Sequence, residues 1–229
     1  MVTHIIAYGG SIVCPKKYDM VALKALSNVI NIHTKDTFII VIGGGYLARD
    51  LQKKSKITDP YAKDWVGIAA TRINAEFVRK YLQSNCKNVH PEILLEPKKV
   101  TGRKVYIAGG WKPGASTDYD AIRFAKAYNA KKVYKISNIS DILDVKPQYF
   151  DKTKIHSYKK LKTISWSKIN NLVGKEWIPG INTPLDPPAA KLGKELGKKE
   201  FSLYLGKKED LEAMISGTFK GTIIKNRRI

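Results

Sequence analysis

Phe38-Ile39-Ile40-Val41-Ile42-Gly43-Gly44-Gly45-Tyr46-Leu47-Ala48-Arg49 is the stretch on which the fold turns. An unbroken apolar run, three glycines and a breaker-free segment read as strand, tight turn and helix. Apolar residues without alternation fit a strand covered on both faces. Glycines at such a turn leave backbone N–H groups open, with no Cβ in the way. With the positive end of the helix dipole, those donors form an anion site. The arrangement recurs twice. Ile5-Ile6-Ala7-Tyr8 runs into Gly9-Gly10-Ser11, and Val105-Tyr106-Ile107-Ala108 runs into Gly109-Gly110-Trp111-Lys112-Pro113-Gly114 and then Ser116-Thr117-Asp118. One such turn is often only tight geometry. Three in one chain point to a ligand carrying several phosphates.

Outward from these turns, strands and helices alternate. Strands are expected near 2–8, 37–42, 104–108, 132–136, 201–205 and 221–225. Helices are expected near 18–33, 45–55, 61–85, 117–129, 185–196 and 208–216, with a long irregular region after the loop 137–141 reaching about 184. This alternation gives an α/β fold with a largely parallel sheet covered on both faces. The Pro- and Lys-containing stretch 91–102 is read as the boundary between an N-terminal lobe, 1–100, and a C-terminal lobe, 101–229, which together form one compact domain.

The chain has 229 residues, 43% of them hydrophobic, enough for a substantial core. Lys+Arg exceed Asp+Glu by 41 to 20, a net charge of +21. Such an excess is an electrostatic invitation to nucleic acid. The lysines, however, are scattered as pairs along the whole chain, and no RNA-recognition, zinc-finger or helix-turn-helix pattern accompanies them. A solvated basic surface is the better reading, and nucleic acid is not expected as a partner. Two cysteines exclude a disulfide framework and a four-ligand zinc site, and the four histidines form no ligand cluster. No apolar run approaches the roughly 20 residues of a membrane span, and no secretory signal pattern opens the chain. The expected location is the cytoplasm.

The commonest nucleotide signatures are missing. There is neither a G-x-x-x-x-G-K-[ST] loop nor a G-x-G-x-x-G with its ribose-binding acid. The segments that do occur resemble, in order, the archaeal-type uridylate (UMP) kinases of the amino acid kinase family. They are Gly9-Gly10-Ser11-Ile12-Val13 with Pro15, the Val41–Arg49 turn, Lys63-Asp64-Trp65-Val66-Gly67-Ile68 with Thr71-Arg72 and Asn74-Ala75, and Gly109-Gly110 with Pro113-Gly114 and Ser116-Thr117-Asp118. Ile136-Ser137-Asn138 with Asp141, Asp186-Pro187 with Ala189-Ala190-Lys191, and Gly221-Thr222-Ile223-Ile224 complete the series.

The resemblance implies a three-layer αβα sandwich and an ATP- and Mg²⁺-dependent nucleoside monophosphate kinase that makes UDP from UMP, assembled as a hexamer (a trimer of dimers). It implies that Gly44, Gly45 and Arg49 hold the UMP phosphate, that Asp64 accepts from the ribose hydroxyls, and that Ser116 and Thr117 contact the acceptor. Gly9, Gly10 and Ser11 would line the path of the phosphoryl group, with Gly45 close by. Asn138, Asp141 and Leu143 would lie on the ATP side, and Asp186 near the phosphates or their metal; no metal ligand is assigned. Gly10, Ser11 and Asp186 are thus the catalytic candidates. The residue types suit the roles: arginine pairs bidentately with phosphate, and phosphoryl transfer asks mainly for positioning and charge neutralisation.

Plainer explanations compete at several positions. Asp64, Thr117, Asp118 and Asp186 each suit a helix N-cap, and Asn138 and Asp141 suit a turn. Tyr8 stands where many kinases of the superfamily carry a phosphate-bridging lysine, leaving Lys16, Lys17 and Lys112 as candidates for the compensating charge. Trp111 stands where the family often has threonine, and Leu143 where an aromatic residue is common. Two alternatives follow: an enzyme of the same fold with another acceptor, or a catalytically silent relative that binds nucleotides or oxyanions.

Overall fold

A computed structural model describes residues 1–175, 183–198 and 200–226. In chain order the elements are β1 (Thr3–Tyr8), α1 (Gly10–Val13), α2 (Met20–Ile32), β2 (Thr37–Ile42), α3 (Gly45–Lys54), α4 (Pro60–Asn85), β3 (Val105–Ala108), α5 (Thr117–Tyr128) and β4 (Lys132–Ile136). There follow β5 (Ile142–Leu143), β6 (Lys160–Leu161), β7 (Thr163–Ile164), α6 (Trp166–Val173), α7 (Pro187–Gly197), β8 (Ser202–Gly206), α8 (Leu211–Ser216) and β9 (Thr222–Ile224).

The main sheet runs β3-β2-β1-β4-β8-β9-β7. From β3 to β8 every neighbouring pair is parallel; β9 lies antiparallel to β8, and β7 is parallel to β9. Strand residues alternate between two separate cores. Ile5, Ala7, Ile39 and Val41 pack with Ile122, Phe124 and the α6–α7 side. Ile6, Tyr8, Ile40 and Ile42 pack with Leu23 and Leu26 of α2 and Val78 and Leu82 of α4. The unbroken apolar strands are thus explained: both faces are covered. The three-layer arrangement expected from the sequence is present.

Two differences stand out. The region read as irregular between 137 and 184 contains a small β5–β6 hairpin, a strand that joins the main sheet, and the helix α6. Residues 176–182 of that region lie outside the described residues. A single-turn helix, α1, also begins within the first glycine pair, with Gly9 as its N-cap and Gly10 as its first residue.

Topology places the loops that matter. The chain steps from β1 to β2 to β3 in one direction, and β4 then returns to the other side of β1. The connections leaving the C-terminal ends of β1 and β4 diverge there, which in open α/β sheets opens the ligand-binding crevice. Gly9 N donates to Ile136 O at 3.0 Å at this point.

Candidate functional site

The first two glycine turns meet backbone to backbone. A Cβ on Gly10 would lie 2.1 Å from Gly45 N, and one on Gly45 would lie 2.1 Å from Gly10 O. Gly45 also has φ +58°, a left-handed conformation that costs glycine little. The loops after β1 and β2 therefore form one fused double turn. The long helix α4 supports it from below. Asn74, fully buried, donates its side-chain amide to Gly43 O at 3.0 Å and Gly44 O at 3.1 Å, while its own oxygen accepts from Tyr18 Oη at 3.3 Å. Its side-chain oxygen and nitrogen are both engaged, so the amide is a fixed strut.

The same helix holds the third glycine loop. Thr71 Oγ1 accepts from Gly110 N at 2.7 Å, and Arg72 donates to Gly110 O at 3.2 Å and Trp111 O at 3.1 Å. Asp64 Oδ2 accepts from Gly114 N at 2.9 Å. Asp64 is not a cap: Asp59 begins α4, accepting from Ala62 N at 2.8 Å ahead of Pro60. Arg49 extends from α3 into solvent, with no side-chain hydrogen bond or ion pair to any described residue.

Behind these loops lies a half-buried charged cluster. Ser116 caps α5, accepting from Tyr119 N at 3.0 Å, and its hydroxyl donates to Asp186 Oδ2. Asp186 caps α7 through Ala189 N at 2.9 Å, so its two oxygens tie the starts of two helices together. Lys135, from β4, donates to Asp118. Burial, reinforced by the negative charge of Asp118, pushes the Asp186 carboxyl above the usual range against the Ser116 and Ala189 hydrogen bonds. Thr117, the first residue of α5, sits between Ser116 and Asp118.

Across the crevice Asn138 Nδ2 donates to Ser11 Oγ at 3.1 Å, linking the β4 loop to the β1 loop. Asp141 takes a more structural place. It accepts from Lys162 at 2.6 Å and Ser140 at 3.1 Å and lies 3.6 Å from Lys160. Burial opposes its ionisation, but those hydrogen bonds and the two ammonium charges prevail and hold its pKa down. Leu143 pairs with Lys160 in the adjacent hairpin.

The structure thus places Gly9, Gly10, Ser11, Gly43–Gly45 and Asn138 on the loops leaving the C-terminal ends of β1, β2 and β4, with Asp64 tied to the loop after β3 and Ser116 to Asp186. Tyr8 is not part of the site: its hydroxyl is buried under α2, donating to Ala22 O at 3.1 Å. Lys16 and Lys17 are exposed, and Lys112 lies over the Trp111 ring at 4.2 Å. Sequence reasoning gave no role to Thr71, Arg72, Asn74, Asp120 or Lys135. For Lys135 a signal existed, a lysine set between Tyr134 and Ile136 within a strand; for Asn74 the signal was an amide on the apolar side of a helix.

Divalent-metal fit can be judged from the donor set. No group of three or more His, Cys, Asp or Glu side chains converges among the described residues. Mg²⁺ that arrives with a nucleotide needs only one or two carboxylates besides phosphates and water, and the neighbouring Asp186 and Asp118 meet that requirement.

The amino acid kinase family model matches residues 3–199. The uridylate kinase of Pyrococcus abyssi is 30% identical over 95% of this chain and 96% of its own. That of Methanocorpusculum labreanum is 30% identical over 100% of this chain and 98% of its own. Among solved structures, uridylate kinase from Archaeoglobus fulgidus superposes with a TM-score of 0.76 at 23% identity, covering 98% of this chain and all of that one, a likeness of fold. With the family model spanning most of its length and such relatives spanning nearly all of it, the chain belongs to the amino acid kinase family and, within it, to the archaeal-type uridylate kinases.

Proposed function

We propose that this protein transfers the γ-phosphoryl group of ATP directly to UMP, giving UDP and ADP. The observation that carries the reading is the fused Gly10/Gly45 double turn, with Arg49 free at its side and Asp64 beyond it. In this reading the acceptor lies on the N-terminal lobe, residues 1–100, and ATP on the C-terminal one, residues 101–229, with the α5 start contributing to both. Gly44, Gly45 and Arg49 hold the UMP phosphate. The Asp64 oxygen not engaged by Gly114 accepts from the ribose, and Ser116 and Thr117 border the acceptor. Gly9, Gly10 and Ser11 line the path of the transferred group, with the Gly9 N–H taken by Ile136 O, and Asn138 fixes Ser11 across the crevice. Asp141 and Leu143 shape the ATP-side hairpin.

No general base is required, because the attacking UMP phosphate oxygen is already anionic near neutral pH. What the residues supply is alignment and charge. The positive charge absent at Tyr8 is assigned to Lys135, the cation already seated beside Asp118 and Asp186. Mg²⁺, held by Asp186 with Asp118 behind it, would neutralise the nucleotide phosphates. Assembly as a hexamer is part of the same proposal, and light scattering on the purified chain tests it. Among the described residues no helix is long and apolar enough to cross a membrane. The catalytic reading is tested by ADP release with ATP, Mg²⁺ and each of UMP, CMP, AMP, GMP, an amino acid, carbamate or no acceptor. Selective turnover with UMP supports it, and turnover only with a non-nucleotide acceptor moves the substrate while keeping the fold.

A further inference from the structure

Asp120 is a carboxyl with no exposed surface, in the first turn of α5. Its Oδ2 accepts from Trp111 N at 3.1 Å, and its Oδ1 is buried without a hydrogen-bond partner among the described residues. A half-satisfied buried carboxyl is costly, and an apolar side chain of similar size would fit the core at lower cost. Among the described residues its one side-chain hydrogen bond holds the Trp111 amide.

That amide sits in the middle of the third glycine loop. On one side Thr71 and Arg72 of α4 take Gly110 N, Gly110 O and Trp111 O. At the far end Asp64 takes Gly114 N. Asp120 is the only side chain of α5 hydrogen-bonded to the loop among the described residues, and it opposes the pull of α4. The indole is set at the same time: Lys112 lies 4.2 Å and Arg123 5.4 Å from its ring centre. Loop, indole and Asp64 therefore share one register, fixed by the bond to Asp120.

We propose that Asp120 is a positioning residue for the acceptor subsite, acting through Trp111 and the Gly109–Gly114 loop to hold Asp64 and the indole where UMP meets them. This rests on the reading of the chain as a UMP kinase. The groups that face the Asp120 carboxyl are Arg123 on its own helix, Lys112 on the loop and Asp186 at the start of α7, with burial pushing its pKa up to about 7.

The test compares wild type, Asp120→Asn and Asp120→Ala by steady-state kinetics, varying UMP and ATP separately. Asparagine keeps an acceptor for Trp111 N–H; alanine removes it. The expected result is a KM for UMP raised about tenfold in Asp120→Ala, a KM for ATP within twofold of wild type, and recovery of the UMP value in Asp120→Asn. If the alanine variant does not fold, Asp120→Ser, whose hydroxyl is too short to reach the amide, is expected to give the same selective loss. Equal changes in both KM values, or an unchanged KM for UMP in the folded Ala or Ser variant, would overturn the proposal. Absence of UMP turnover in wild type would instead remove the reading on which it rests.

Discussion

Gly10 and Asp120 show what single residues contribute. At Gly10 a methyl group would meet backbone, not a yielding side chain: Gly45 N at 2.1 Å and Gly43 C at 2.5 Å. Gly10→Ala must part the two turns. Because a displacement of about 1 Å can cost about 100-fold in rate, kcat/KM for UMP is expected to fall at least that far while circular dichroism stays unchanged. Near-normal kinetics would show that the double turn is not the phosphoryl path. At Asp120 the sign of the pH effect follows from the raised pKa, about 7, caused first by burial. The folded state holds this proton more tightly than the unfolded chain. Its contribution is full below pH 4 and is lost as pH rises towards 7. Denaturant titrations should find Asp120→Asn gaining stability relative to wild type from pH 4 to pH 8; a difference constant across that range would contradict the assignment.

Elements were legible where their period was long and their ends were marked. α4 carries Asp59-Pro60 at its start and a sustained pattern behind it, and the strands before each glycine turn are continuous apolar runs. α6 was missed although Trp166, Ile169, Leu172 and Val173 lie at helical spacing behind the cap Ser165, because eight residues between turn-rich neighbours give a weak periodic signal. Its packing also explains an oddity in α7, two glycines one turn apart. Trp166, fully buried and hydrogen-bonded to Phe201 O at 2.9 Å, occupies the groove they leave; a Cβ at Gly193 would lie 2.1 Å from its ring, and one at Gly197 2.5 Å. Gly193→Ala should therefore lose about 1–3 kcal/mol by overpacking, despite alanine's higher helix propensity. Thermal unfolding measures this, and a raised Tm would mean that the indole is not held as described.

At the scale of the whole molecule, sequence order concealed what the sheet brings together. Asn138 reaches Ser11 and Ser116 reaches Asp186 across long stretches of chain, and no local pattern encodes such pairs. The glycine turns were readable because each is local; that two of them fuse while the third hangs from α4 by Thr71, Arg72 and Asp64 is a product of topology. The net charge of +21 gathers no motif of its own, and several lysines are taken up in ion pairs such as Lys208–Asp19 at 2.6 Å and Lys162–Asp141 at 2.6 Å. In the proposed reaction the free guanidinium of Arg49, beside the double turn, grips the acceptor phosphate during transfer from ATP. The most direct measurement is steady-state ADP release with ATP, Mg²⁺ and UMP, comparing wild type with Arg49→Ala. Wild type is expected to show UMP-dependent turnover, and the variant to lose about 100-fold or more in kcat/KM for UMP, about the 2–3 kcal/mol of a charge-assisted pair. Turnover that is indifferent to Arg49, or a wild type that releases no ADP with UMP, would contradict this expectation.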